Sequence, residues 1–122
     1  MKGYKELTVW QKSMDLVVCV YNLVELLPKY ETYGLADQMR RAAVSIPSNI
    51  AEGQGRYSTR DYCNFLNIAR GSCFELETQI QICVRLEYVK NSDVESAINL
   101  CEEVGKMLSV MIGKLRDTVK TQ

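Results

Sequence analysis

Histidine is absent from this sequence of 122 residues. Its absence removes the commonest acid–base side chain, the Ser-His and Cys-His nucleophile pairs, and the commonest metal ligand. Net charge is missing too, because 15 Lys and Arg balance 15 Asp and Glu. No global field draws in bulk nucleic acid or an anionic membrane, so such a contact would need a local patch. No segment approaches the roughly 18 unbroken apolar residues of a membrane-spanning helix. The opening, MKGYKELTVWQK, lacks the long apolar run of a signal peptide. These absences predict a soluble cytoplasmic protein with no membrane partner.

Punctuation is scarce as well: seven glycines and two prolines. Of the five cysteines, Cys19, Cys63, Cys73, Cys83 and Cys101, no two form a C-x-x-C pair. At apolar helical positions a free thiol behaves as a small hydrophobe, so reduced core thiols are expected, with Cys63 the most accessible because it lies off the Tyr62–Leu66 seam. Nothing here calls for a cofactor.

What is present is helical periodicity in four segments, with no sustained strand alternation. The first helix is predicted from about Thr8 to Leu27, with Thr8 and Gln11 as a capping box and Pro28 as its stop. It carries two adjoining apolar stripes: Trp10, Met14, Val17, Tyr21 and Val24, and then Leu16, Val20, Leu23 and Leu27. A second helix opens at Leu35 and buries Met39, Ala42, Ala43, Ile46 and Ile50. Gly53 and Gly55 should end it through positive φ. Ser58 caps a third helix whose seam is Tyr62, Leu66, Ala69, Cys73, Leu76, Ile80 and Cys83. Ser92 with Glu95 opens a fourth, seamed by Val94, Ile98, Cys101, Gly105, Leu108, Ile112, Leu115 and Val119. Residues 1–122 therefore read as one all-α domain, an up-down-up-down antiparallel four-helix bundle with a proline-kinked second helix.

The stretch AAVSIPSNIAEGQGR, residues 42–56, is where chemistry could hide. Pro47 cannot bond the Ala43 carbonyl, which predicts a break or kink near Ile46, with Ser45, Ser48 and Asn49 satisfying the freed groups. A catalytic serine here would need a base, and only Glu52, one turn after Ser48, is near in sequence; no oxyanion loop precedes it. AEGQGR lacks the Lys-Ser/Thr and the preceding strand of a phosphate-binding loop. Glu75 and Glu77 point to different sides of their helix, and a di-iron bundle would need Glu-x-x-His motifs. No catalytic residue and no metal site follow. Arg40, Arg41, Arg56 and Arg60 could bind a nucleic-acid backbone, or be solvated and ion-paired.

The blocks YGLADQMRRAAVSIPSNIAEGQGR and YCNFLNIARGSCFELETQI, with LTVWQKSMDLVVCVYNL, resemble the bacterial four-helix-bundle family also called the 23S ribosomal RNA intervening-sequence proteins. The resemblance covers nearly the whole chain. It implies a small cytosolic bundle that assembles as a ring-shaped homopentamer, with no catalytic residues. Gln38, Arg40, Arg41, Ser45, Pro47, Asn49, Glu52, Gly53, Arg56, Glu75 and Glu77 fall on its signature positions and are expected to shape fold and assembly. A related accessory protein of diversity-generating retroelements binds a reverse transcriptase and nucleic acid; it is strongly basic, where this chain is neutral.

Two functions follow. One is a non-enzymatic assembly or adaptor module, a homo-oligomer whose count of five is what the resemblance implies. The other is a nucleic-acid-binding accessory protein, bound to RNA or to a nucleic-acid enzyme. Independently of the resemblance, the doubled stripe of the first helix, and Phe65, Phe74 and Ile82 outside the third helix's seam, leave apolar surface that an oligomer would bury.

Overall fold

A computed structural model describes residues 3–121, with side chains through residue 119. Four helices, α1 (Thr8–Val24), α2 (Leu35–Gln54), α3 (Thr59–Arg85) and α4 (Asn91–Thr121), make up the bundle, with 3₁₀ turns at Tyr4–Glu6 and Lys29–Glu31. Among the described residues there is no strand. Each helix packs on its neighbours in the chain, and α1 closes the ring against α4. Residue numbers run in opposite directions across α2 and α3. The Cys83 thiol lies 3.5 Å from Met39 Sδ, and the Ser45 and Ser72 hydroxyls are 2.9 Å apart.

The core is a single cluster. Leu16 and Val20 of α1 meet Met39, Ile46 and Ile50 of α2, Leu66, Leu76 and Ile80 of α3, and Val104 and Leu108 of α4. Burying each large aliphatic side chain contributes about 1.5–3 kcal/mol. Of the two stripes on α1, the one led by Leu16 and Leu23 faces inward. Trp10 and Val17 pack at its margin, while Met14 and Tyr21 are exposed. The α4 seam is also rotated from the predicted one: Ala97 and Val104 are fully buried, while Ile98 and Gly105 are half-exposed.

Several local expectations are corrected. α1 ends at Val24, and residues 25–27 tighten into i→i−3 bonds before Pro28. Its N-cap is Leu7, without a side-chain bond, and the Gln11 amide donates instead to the Lys5 carbonyl at 3.0 Å. At Pro47, where a break or kink was expected, α2 continues without a break and the proline ring is buried. Neither Gly53 nor Gly55 has positive φ; among the described residues only Glu87 does, at 63°. Glu87 closes α3 in a Schellman motif, its N–H donating to the Val84 carbonyl while the Tyr88 N–H donates to Cys83. At the start of α4, Asp93 Oδ2 accepts from the Lys90 N–H at 2.8 Å, so the Ser92–Glu95 box does not form. Ser58 caps α3 as expected, accepting from the Asp61 N–H at 3.0 Å. Cys63 is buried, and Cys19 is the more accessible thiol.

Candidate functional site

Residues 42–56 include the stretch of α2 that packs against α3. Gly53 is buried, and a Cβ added to it would stand 2.7 Å from the Phe65 Cβ and 3.1 Å from the Tyr62 ring. Those atoms are anchored at or near the main chain of α3, so they cannot move aside cheaply. Gly53 is needed for helix contact, not for a turn. One helical stretch earlier, Asn49 Nδ2 donates to the Ser45 carbonyl at 2.8 Å and to Ser45 Oγ at 2.9 Å. Ser45 in turn shares a hydrogen bond with Ser72. Its hydroxyl thus reaches across to α3, and the Asn49 amide takes the local carbonyl.

This arrangement joins two helices. The Ser45 hydroxyl contacts an amide and another hydroxyl, neither of them a base. Ser48 is exposed at the edge of an open pocket of about 580 Å³, lined by Tyr4, Ala51, Glu52, Gly55, Arg56 and Tyr57. Glu52 is bound to Arg56 at 3.1 Å, and the Arg56 guanidinium lies 4.7 Å over the Phe65 ring. Among the described residues, no three His, Cys, Asp or Glu side chains gather as a metal site would require.

The four arginines singled out from the sequence do not come together. Arg41 Nε binds Asp37 Oδ2 at 2.9 Å, and that contact raises its pKa further. Arg40 donates to the Thr32 carbonyl at 3.0 Å and lies 3.8 Å from the same carboxylate. Arg56 lies just past the end of α2, and the helical run from Arg40 to Gln54 alone spans about 21 Å at 1.5 Å per residue. Arg60 stands on α3 in a pocket of about 250 Å³ with Cys63, Asn64, Asn67, Arg116 and Val119. Gln38 is exposed on α2. Arg116 could not be found by sequence reasoning, because only the packing of α4 on α3 brings it to Arg60. Glu31 was equally hidden. Its Oε1 accepts the Leu35 N–H at 3.1 Å, opening α2, and its Oε2 accepts the Tyr88 hydroxyl at 2.9 Å.

Glu75 is exposed and Glu77 half-buried, and the two do diverge. Gln79, the last residue of the ELETQ run, is buried with no donor for its Oε1. Glu77 lies at a groove of about 650 Å³ between α3 and α4, whose lining includes Cys73, Phe74, Cys101, Glu102, Gly105 and Val110. Burial, reinforced by Glu77, pushes the Cys73 thiol up to about 12 and raises Cys101 as well. These are inert thiols, without the electropositive setting of a reactive cysteine. Across the bundle, α1 exposes Met14, Val18 and Tyr21, and α2 exposes Val44.

Comparison with known proteins fits this arrangement. Residues 5–110 match the family described as 23S rRNA-intervening sequence protein. The chain is similar to the crystal structure of a protein of unknown function, of the S23 ribosomal protein family, from Bacteroides thetaiotaomicron VPI-5482. The two share 31% identity with a TM-score of 0.80, covering 86% of this chain and 98% of that one. No curated protein matches.

Proposed function

The chain belongs to the 23S rRNA-intervening sequence protein family, and from that premise we propose that it is a non-enzymatic assembly module. It forms a closed homo-oligomer in the cytoplasm and serves as scaffold or adaptor, with no cofactor. The observation that carries this reading is the apolar surface left open on two flanks of a complete bundle. Val18 is 62% exposed on one side, and Phe74 and Val110 are each 57% exposed on the other. Large contiguous apolar patches on soluble proteins mark interfaces. At about 25 cal/mol per Å², hiding 400 Å² per chain is worth on the order of 10 kcal/mol before association costs. Closed cyclic symmetry buries a repeated patch without making filaments. The copy number of five comes from the family resemblance.

A second reading, RNA binding, is supported by the pocket that pairs Arg60 with Arg116 beside two asparagines and no carboxylate. Arg40, Arg41 and Arg56 support it less, because Asp37 and Glu52 already partly neutralise them. Light scattering coupled to gel filtration, run with and without RNA at low and high salt, tests both readings. Assembly predicts a mass several times the 13.9 kDa of one chain, independent of RNA. A single-chain mass at micromolar concentration overturns it. RNA that co-elutes at low salt and is released at high salt establishes the second reading.

A further inference from the structure

Gly105 lies inside α4, where a glycine costs about 0.5–1 kcal/mol relative to alanine. A Cβ built on it meets nothing within 4 Å, so no atom of this chain needs the space it leaves. That space opens into the α3–α4 groove, between Phe74 and Val110 and beside Cys73 and Cys101. A gap kept at such a cost, under exposed apolar side chains, suits close approach by something outside the chain.

The same chain carries a matching shape on its opposite flank. Met14, Val18 and Tyr21 follow one another at helical steps of four and three along α1, with Val44 of α2 beside Tyr21. Because the helices are arranged as a ring, the α1–α2 flank and the α3–α4 flank face away from each other. Opposite charges are available on the two faces. Two carboxylates, Glu77 and Glu102, line the groove beside Lys106, with the Arg70 guanidinium over the Phe74 ring. The cleft beside the apolar ridge carries Arg40 and Arg41 against one Asp37, an excess of one positive charge.

We propose that the Met14–Val18–Tyr21 ridge of one copy seats in the α3–α4 groove of the next, with Arg40 and Arg41 reaching Glu77 and Glu102. This deepens the assembly reading and rests on it. The two faces are different, so the contact is heterologous. Each added copy presents a fresh ridge and a fresh groove, and growth stops only when a ring closes.

Two variants test this, each placed where the lone chain has room. Val18→Glu puts a charge on the ridge, and Gly105→Leu fills the groove. Each should keep its helical circular dichroism and cooperative melt, yet elute at single-chain mass. Mixed in equal amounts, they should form a species of two chains and nothing larger, because one intact ridge meets one intact groove. The charge pair gives a second check: Arg41→Glu or Glu102→Arg alone should weaken assembly at least tenfold, and the double variant should recover most of it. A wild-type chain that is itself monomeric overturns the assembly reading, and this pairing with it. A wild-type oligomer whose mass survives both Val18→Glu and Gly105→Leu overturns the pairing alone. Dissociated variants that fail to dimerise on mixing also overturn it.

Discussion

Gly53 and Gly105 both stand within helices of the same bundle, and their surroundings are opposite. At Gly53 an added Cβ would strike the Phe65 Cβ at 2.7 Å; at Gly105 it would meet nothing within 4 Å. The first glycine is explained inside the chain: α2 and α3 approach so closely there that only hydrogen fits. The second has no such explanation, and it lies beside exposed Phe74 and Val110. The α2–α3 seam is finished within one molecule, with serine hydroxyls and an asparagine amide tying it shut. The α3–α4 flank is unfinished. A glycine is thus informative through what its missing side chain would have touched.

The largest effect should come from closing the gap at the finished seam. Gly53→Ala gains the helix preference of alanine, about 0.5–1 kcal/mol. It then forces a Cβ against anchored atoms of α3, and overpacking of this kind costs about 1–3 kcal/mol. A net loss of stability is expected in urea unfolding, with the denaturant slope unchanged. A variant as stable as the parent would mean that the helices part easily and that the seam is not tight.

The cysteines sharpen the same contrast with a smaller effect. Cys83 lies in the seam against Met39, whereas Cys73 and Cys101 border the groove. At pH 8, a thiol reagent should label Cys19 first and leave the other four until the protein unfolds. The same order should hold in a variant kept dissociated, because Cys73, Cys83 and Cys101 are all buried within the single chain. The same thiols give a pH signature. Burial pushes Cys73 up to about 12 and Cys83 up to about 11 from the ordinary 9.0. Unfolded thiols therefore lose protons near pH 9 while the folded ones keep theirs. Where the folded state holds more protons, stability falls as pH rises. This contribution should be fully present below pH 9 and lost as pH climbs toward 11–12. Cys83→Ala and Cys73→Ala should each flatten that decline in urea titrations at successive pH values.

Most of the fold could be read from the sequence, because amphipathic periodicity and a few breakers define four helices. Periodicity could not say which of two apolar stripes on α1 turns inward; the choice of Leu16, Val20 and Leu23 over Met14 and Tyr21 is made by the shape of the facing helices. Capping boxes misled twice. A side chain three residues from Thr8 or Ser92 was chemically suitable, but α1 and α4 are capped at Leu7 and Lys90 instead. Of the break or kink expected at Pro47, the break does not occur: the lost hydrogen bond is local, whereas the packing that keeps α2 continuous is not. Gly53 was marked as important for the wrong reason, since its contact with Phe65 comes from the neighbouring helix. The candidate site was least legible. Arg60 and Arg116 are 56 positions apart in the chain, and nothing local ties them together. The exposed ridge and groove were foreseen in part: Met14, Tyr21 and Phe74 stood in the surplus apolar surface, whereas Val18 and Val110 belonged to no stripe or seam that marked them.

The central claim is that the α3–α4 flank is completed by another copy of the chain. Gly105→Ala tests it most directly, because one methyl group should push two measurements in opposite directions. In dilute solution, where single chains predominate, the variant should unfold at higher urea, by about 0.5–1 kcal/mol, as the helix loses its glycine. At higher concentration, light scattering should show its oligomer dissociating at several-fold higher protein concentration than the parent's. A variant that is more stable and assembles as well as the parent, or better, would contradict the account.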